Sequence, residues 1–207
     1  MALFITFEGG EGCGKSTQAK LLYRRLNTLA LPVILTHEPG VTALGKKISR
    51  LLKWTHNVDI SPMAELLLFN VSRAQLVNEI IETELNKDKV VICDRYADSS
   101  TAYQGYGRGL DMDTVLAVNQ AATNGLRPDL TILLDMPVEQ GFKRKGDERP
   151  DRFEAESMKF HRRVREGYRE MAESEPERWL IIDGTLDREV IAGIIWQSIS
   201  RLIAGRG

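Results

Sequence analysis

A glycine-rich segment, FEGGEGCGKST at residues 7–17, combines residue types that bind phosphate. Gly9, Gly14, Lys15 and Ser16 match the pattern G-x-x-x-x-G-K-[ST], with an apolar run before it and an amphipathic run after it. In that setting successive backbone N–H groups can point at phosphate oxygens, and the start of a helix favours negative charge. Lys15 can reach the β- and γ-phosphates and Ser16 can bind Mg²⁺. The pattern predicts a nucleoside triphosphate site, and a glycine-rich turn that binds nothing is the alternative.

The predicted ATP site takes in this segment from its second glycine onward. None of its variable positions is arginine or lysine, so any further charge on bound phosphates must be balanced by residues elsewhere. The ATP-binding residues predicted here are Gly10, Glu11, Gly12, Cys13, Gly14, Lys15, Ser16 and Thr17.

A second group of charged residues, Asp94, Arg95 and Tyr96, follows another apolar run. A carboxylate at the end of a strand can bind Mg²⁺ directly or through water, and an arginine can bind a phosphate through its planar guanidinium group. Taken alone, an adjacent Asp and Arg after a strand fit a structural ion pair better than a functional site. Together with the glycine-rich segment, they predict a metal site at Ser16 and Asp94 and catalytic roles for Lys15, Asp94 and Arg95.

These residues need elements that position them, and the sequence alternates short β-branched runs with longer segments of helical period. This alternation predicts an α/β fold with a parallel five-stranded sheet covered by helices on both faces, in one domain over residues 1–207. Ligands of such sheets bind beyond the carboxyl ends of the strands. The predicted strands are ALFITFE, VILTH, KVVICD, DLTILLD and WLIID, which end at Glu8, His37, Asp94, Asp135 and Asp183.

Helix start signals refine the segments between the strands. Ser61 with Pro62 is a typical cap followed by proline at the first helical position, and either Asp111 or Asp113 could cap a later helix. The predicted helices cover about 16–29, 43–53, 62–86, 111–122, 138–144, 154–173 and 186–203.

A polar segment, KRKGDERPDR at residues 143–152, interrupts this alternation. It is too rich in charge, glycine and proline for a core element, and it predicts a small mobile basic lid over residues 143–153. A lid of this kind could exclude water from a nucleotide site, and an ordinary surface turn is the alternative.

Composition limits the partners of the chain. The 28 Lys and Arg nearly balance the 29 Asp and Glu, which predicts no general attraction to nucleic acid or to a membrane surface. There is no apolar stretch of about 18 residues and no signal-like N-terminus, so we expect a soluble cytoplasmic protein. Cys13 and Cys93 fit neither a disulfide framework nor a metal site.

Several motifs together resemble the bacterial thymidylate kinases over about residues 3–185. They are, in chain order, FEGGEGCGKST, HEPG, LLLFNVSRAQ, DRYADSSTAYQGYGRGL, RPDLTILLD and DRFEAES. The resemblance implies a P-loop fold of the nucleoside monophosphate kinase type and a homodimer that transfers the γ-phosphoryl group of ATP to dTMP with Mg²⁺. Another nucleoside or nucleoside monophosphate kinase is the nearest alternative. A P-loop switch or regulatory ATP-binding module would not need the second nucleotide pocket that these motifs imply.

The resemblance also implies roles for residues in the acceptor site. It implies that Phe69 stacks on thymine, that Arg73 donates to a thymine carbonyl and that Tyr103 packs against the deoxyribose. Phe69 and Arg73 are four residues apart on one predicted helix and so share a face, although a core aromatic and a solvated arginine would fit that spacing too. The dTMP-binding residues implied are Glu38, Phe69, Arg73, Arg95, Ser99, Tyr103 and Gln104.

The chain departs from the family pattern at two positions. His37 stands where the family usually has arginine, and Ser49, with Arg50 beside it, stands where another arginine is expected. The acceptor-phosphate contact is therefore predicted mainly for Arg95.

The lid is predicted to supply the charge that the glycine-rich segment lacks. Arg149 is the predicted catalytic arginine, and Arg144 resembles the family arginine that packs on adenine. Arg152 is expected to tether the lid or also to touch phosphate, and Lys145 could align in place of Arg149.

Overall fold

The computed structural model describes residues 2–55, 58–146 and 150–205, and in these residues five strands form one parallel sheet. All five predicted strands are confirmed to within one residue at each end. They are Leu3–Glu8 (β1), Val33–His37 (β2), Val90–Asp94 (β3), Leu130–Asp135 (β4) and Trp179–Asp183 (β5).

The order of the strands, β2-β3-β1-β4-β5, brings the predicted site together. Phe7 in β1 is paired with Asp94 in β3, and Glu8 is paired with Leu133 in β4. Because parallel strands all end at the same edge, the loops that follow β1 and β3 leave the sheet side by side.

Helices pack on both faces of the sheet, as predicted. The π-helical segments Val77–Ile81 and Thr101–Gly107 extend the helical structure. The α-helices are Lys15–Thr28 (α1), Ala43–Trp54 (α2), Pro62–Leu76 (α3), Glu82–Leu85 (α4), Ala97–Ser100 (α5), Met112–Thr123 (α6), Val138–Lys145 (α7), Met158–Ser174 (α8) and Arg188–Ala204 (α9).

Side chains of β1 alternate between the two buried layers. Ile5 and Phe7 pack in a cluster with Leu22 and Leu26 of α1 and with Ile195 of α9. On the opposite face, Phe4 packs with Leu76, Val77 and Tyr96. Each fully buried aliphatic or aromatic side chain stabilises the fold by about 1.5–3 kcal/mol.

The helix caps are mostly those that the sequence predicts. Ser61 Oγ accepts from Ala64 N at 3.3 Å with Pro62 in the first turn, and Asp111, rather than Asp113, caps α6 by accepting from Thr114 N at 2.9 Å. The helix predicted from residue 154 begins at Met158 instead, because the Ser157 hydroxyl accepts from Phe160 N at 3.3 Å.

Two segments differ from the predicted helices. The predicted helix 62–86 is interrupted by the π-helical turn after α3. Residues 97–107 are helical although no helix was predicted there, because contacts with α8 hold a segment that is poor in helix formers. A Cβ at Gly107 would lie 2.7 Å from the Phe160 ring, and one at Gly167 would lie 2.4 Å from the Tyr106 ring.

Within the described ranges, no helix combines the length and the apolar character needed to cross a lipid bilayer.

Candidate active site

The loop between β1 and α1 has the backbone shape that the glycine pattern predicts. Gly9, Gly12 and Gly14 have φ values of 137°, 68° and 95°, which residues with a side chain rarely adopt. A Cβ at Gly12 would also lie 1.9 Å from the Gly141 carbonyl oxygen in α7. A Cβ at Gly141 would likewise lie 2.2 Å from the Glu11 carbonyl oxygen. The loop therefore packs directly on α7, and both Gly12 and Gly141 must be glycine for the two backbones to come this close.

Lys15 is buried at the start of α1 and lies across the same loop. Its Nζ donates to the Gly10 carbonyl oxygen at 2.6 Å and contacts Cys13 Sγ at 3.5 Å. The ammonium group is thus held where phosphate oxygens of a nucleotide would face the loop.

Ser16 and Asp94 meet at the carboxyl ends of the paired strands. The Ser16 hydroxyl donates to Asp94 Oδ2, and both residues line a cleft of about 1320 Å³. A hydroxyl and a carboxylate beside a triphosphate are oxygen ligands of the kind that Mg²⁺ prefers. The residues present therefore fit the predicted metal.

This large cleft contains most of the predicted ATP site. Gly10 and Cys13 are not among the lining residues, and Arg144 instead donates to the carbonyl oxygens of Gly184 at 2.8 Å and Thr185 at 3.0 Å. The predicted residues that do line the cleft are Glu11, Gly12, Gly14, Lys15, Ser16 and Thr17.

A second, smaller cavity of about 80 Å³ adjoins the cleft. Glu11, Pro39, Lys53 and Arg95 line both spaces, so the two spaces meet at these residues. An aromatic and polar lining of this kind suits a nucleobase and sugar. The residues predicted for the acceptor that line the small cavity are Phe69, Arg95, Ser99, Tyr103 and Gln104.

Arg95 is fixed between the two spaces by several acceptors. Its Nη2 donates to Glu11 Oε1 at 2.7 Å and to the Tyr103 hydroxyl at 3.2 Å, and its Nη1 donates to Gly9 O at 3.2 Å and Ser99 Oγ at 3.3 Å. Its φ of 72° lies in the left-handed region, which costs a non-glycine residue of order 1–3 kcal/mol. The surrounding contacts thus hold Arg95 in a strained backbone conformation that directs its guanidinium group to the place where the large cleft and the small cavity meet.

Two carboxylates next to Arg95, the fully buried Glu8 and the partly buried Glu11, differ in their pKa values. Burial by itself would raise the pKa of Glu11, but the positive charges of Arg95 and Lys15 outweigh it and lower that pKa to about 2. Burial raises the pKa of Glu8 to about 7, an effect that Asp98 adds to and Arg95 opposes.

Glu8 accepts hydrogen bonds that fix Ser99 and the start of the helical segment 97–107. Its carboxylate accepts from Ser99 Oγ at 2.6 Å, from Tyr96 N at 2.7 Å and from the Tyr168 hydroxyl at 2.8 Å. The sequence places Glu8 at the ligand-binding edge of the sheet, but it does not show these partners.

Arg73 lies beside the small cavity but lines neither space. Its five N–H groups all donate within the protein, so its predicted contact with a base carbonyl requires one of these bonds to be exchanged. The acceptors are Glu38 Oε2 at 2.9 Å, Asn70 Oδ1, Asn119 Oδ1 and Ser100 Oγ, each at 3.0 Å, and Tyr96 O at 3.2 Å.

Glu38, the ion-pair partner of Arg73, faces the large cleft. Burial raises its pKa to about 7, although Arg73 opposes that effect. Glu38 Oε1 has no hydrogen-bond partner among the described residues, so this buried carboxylate can accept one further donor.

The amino-acid sequence was compared with models of known protein families. The model of the family described as thymidylate kinase matches residues 7–195. The chain belongs to the thymidylate kinase family.

Individual members of the thymidylate kinase family match almost the whole chain. A thymidylate kinase of Dehalococcoides mccartyi strain CBDB1 is 55% identical over 206 residues, which cover 100% of this chain and 99% of that protein. One from Geotalea uraniireducens strain Rf4 is 48% identical and covers 99% of this chain. A crystal structure of thymidylate kinase from Ehrlichia chaffeensis superposes with a TM-score of 0.78 at 32% identity, covering 95% of this chain and 98% of that one.

Where this thymidylate kinase family member lacks the expected arginine, α2 brings other basic residues to the large cleft. Lys46, Arg50 and Lys53 line it together with Ser49. Lys53 is one helical turn beyond Ser49, and its Nζ lies 3.5 Å from Asp151 Oδ2. Sequence reasoning missed Lys53, although its position four residues after Ser49 was a usable signal.

The described ends of the predicted lid are attached to the rest of the fold. Lys145 forms an ion pair with Glu154. Arg152 donates to the Leu52 carbonyl oxygen at 2.8 Å and to Glu65 Oε2 at 2.6 Å, as a tethering residue would. Arg149 lies outside the described residues, so its catalytic role stays a prediction.

Proposed function

We propose that this chain is a dTMP kinase that transfers the γ-phosphoryl group of ATP to dTMP, giving dTDP and ADP, with Mg²⁺ as cofactor. The observation that supports this most is the meeting of a large cleft beside the P-loop with a small aromatic cavity at Arg95. Phosphoryl transfer requires two nucleotides to be aligned and charge to be balanced where they meet.

In this proposal the donor and acceptor sites have separate residues. The P-loop N–H groups and Lys15 bind the triphosphate of ATP, and Arg144 packs on its adenine. Ser16 and Asp94 would bind Mg²⁺, which supplies positive charge to the phosphate oxygens when it is bound. Arg95 holds the acceptor phosphate at the junction of the two spaces.

The acceptor nucleoside occupies the small cavity. Phe69 lies with its ring centroid 5.3 Å from that of Phe153 and offers a face for the base. Tyr103 forms a wall that excludes a ribose 2′-hydroxyl, and Ser99 and Gln104 supply polar contacts. Glu38 lies near the sugar and the metal.

A product assay tests the proposal directly. With ATP and Mg²⁺, dTMP is expected to be converted to dTDP while an equal amount of ADP forms, measured by nucleotide chromatography. ATP hydrolysis that does not depend on any acceptor would indicate a P-loop switch or regulatory module instead.

Lys53 is expected to supply the acceptor-phosphate contact that Ser49 cannot make. The ion pair between Lys53 and Asp151 is partly exposed and therefore weak, so a phosphate group can take the place of Asp151 as the partner of Lys53. A charge-assisted hydrogen bond to phosphate contributes about 1.5–3 kcal/mol, so Lys53→Ala should raise KM for dTMP at least about tenfold. Steady-state kinetics at saturating ATP measure the change.

Two further variants make that test specific. Lys47→Ala, on the same helix but lining neither space, should leave KM for dTMP unchanged. Ser49→Arg in the Lys53→Ala background should restore KM, because the two positions are one helical turn apart. A normal KM in Lys53→Ala with a raised KM in Arg50→Ala would assign the contact to Arg50.

We also propose that the protein is a homodimer that buries an apolar stripe on α3. Met63, Leu67 and Val71 recur every fourth residue on one side of α3 and are 38%, 48% and 46% exposed. Leu116, on the helix α6 that packs against α3, is also exposed. An exposed apolar stripe on one helix face suits a twofold contact with the same stripe of a second copy.

Replacing Leu67 by glutamate should therefore change the mass in solution. Burial of two like charges at a twofold contact is unfavourable, so light scattering should show a shift from twice 23.3 kDa to 23.3 kDa. Val190→Glu, a substitution at an equally exposed position on α9, is the control and should leave the mass unchanged. A dimeric Leu67→Glu variant would exclude this surface.

A further inference from the structure

A fully buried carboxylate lies directly behind the small cavity. Glu65, in the first turn of α3, has no exposed surface. Its Oε1 accepts from Gln104 Nε2 at 2.8 Å and from Arg108 Nε at 3.1 Å. Its Oε2 accepts from Arg152 Nη2 at 2.6 Å and from Arg108 Nη2 at 3.1 Å.

These contacts determine how the Gln104 amide is oriented. A carboxylate that pairs with two guanidinium groups is charged and can only accept hydrogen bonds. Turning the Gln104 amide by 180° would place its carbonyl oxygen against Glu65 Oε1, so two acceptors would meet in a buried site. Glu65 therefore allows one orientation of the amide, with the nitrogen toward α3.

Gln104 is also one of the residues that line the small cavity, together with Phe69 and Tyr103. With its nitrogen bound to Glu65, its carbonyl oxygen is the end of the amide left for the cavity. A carbonyl oxygen accepts a hydrogen bond from the N3–H of thymine or uracil. Cytosine has an unprotonated acceptor at N3, which would leave both groups unpaired in a buried site.

We propose that Glu65 is a positioning residue that sets the preference for an N3–H base by fixing the orientation of the Gln104 amide. The inference rests on the proposed function, since it concerns the acceptor of that reaction. Glu65 acts through Gln104 and touches neither the base nor the transferred phosphate. An unpaired buried acceptor typically changes discrimination by about 10- to 100-fold.

The test compares kcat/KM for dTMP, dUMP and dCMP in three proteins. In Glu65→Gln, residue 65 can donate as well as accept, so both amide orientations of Gln104 become possible. The ratio of dTMP to dCMP should then fall at least about tenfold, and the ratio of dUMP to dCMP should fall with it, because both bases carry N3–H.

Glu156→Gln is the matched control. Glu156 accepts from Arg108 Nη1 at 2.5 Å, so this variant removes a carboxylate from the same arginine without touching Gln104. Its base ratios should equal those of the wild type. A general loss of stability would lower the rates for all three acceptors together and leave the ratios unchanged, which separates positioning from a structural role.

The outcomes are distinct. A wild-type protein that does not phosphorylate dTMP overturns the proposed function and this inference together. A wild type that prefers dTMP, with an unaltered ratio in a folded Glu65→Gln variant, overturns the inference alone. If Glu65→Gln does not fold, Gln104→Met replaces it, since it removes the amide itself. An unchanged ratio in that variant overturns the inference, and a fall of tenfold or more supports it.

Discussion

Replacing Lys15 with methionine is expected to lower kcat for dTDP formation by about 10³-fold or more. Lys15 provides a buried positive charge at the P-loop, where charge on the phosphates must be balanced in the transition state. Methionine has a similar length without the charge. The contacts that it removes, to Gly10 O and Cys13 Sγ, are few, so the fold should persist. Single-turnover kinetics with dTMP and circular dichroism measure the two effects.

Lys20→Met is the control for this experiment. Lys20 is on the same helix and lines the same cleft, but it is exposed. If activity needed only a positive electrostatic potential in the cleft, the Lys15→Met and Lys20→Met variants would lose similar amounts of activity. The account predicts that Lys20→Met keeps activity within a few-fold, and a Lys15→Met variant with near-normal kcat would contradict the assignment of the P-loop.

Arg95→Ala is expected to lower kcat/KM for dTMP by about 10³-fold or more and also to destabilise the protein. The guanidinium contacts both spaces, so its loss affects acceptor binding and charge balance in the transition state. It also leaves Glu11 without its ion-pair partner. Removing one member of such a largely buried pair costs on the order of 3 kcal/mol in the free energy of unfolding.

Arg95→Lys separates the two effects. Lysine keeps a positive charge near Glu11 but lacks the forked donors that bind Gly9 O, Ser99 and Tyr103 together. The lysine variant should recover most of the stability and little of the activity. If Arg95→Ala were unstable yet kept kcat/KM within tenfold, the residue would be a structural ion pair, the alternative that the sequence left open.

The strands and the phosphate-binding loop could be predicted because their signals are local. Each strand is a continuous β-branched run, and its boundaries follow from the polar residue or glycine at its end. The loop depends on glycines whose positive φ values are a property of single residues, as at Gly12.

Contacts between distant segments could not be predicted in the same way. Residues 97–107 contain weak helix formers, and their helical form depends on packing against α8. Arg73 shows the same limit at one side chain. Its type and its spacing from Phe69 fit a base contact, but five acceptors, four of them more than 20 residues away in sequence, engage its donors.

The polar residues behind the site were missed for a related reason. Glu65 is close to Gln104 and Arg152 only because α3, the helical segment after α5 and the end of the lid converge. Nothing in the sequence around residue 65 distinguishes it from a solvated glutamate in a first helical turn.

The acceptor preference of the wild-type protein tests the central claim most directly. With saturating ATP and Mg²⁺, kcat/KM is measured for dTMP, dCMP, dGMP and AMP under one set of conditions. The account predicts that dTMP exceeds each of the others by at least about tenfold, because in the proposal Gln104 offers an acceptor to N3–H and Tyr103 an aromatic wall to the sugar. Equal turnover of dTMP and dCMP would contradict it.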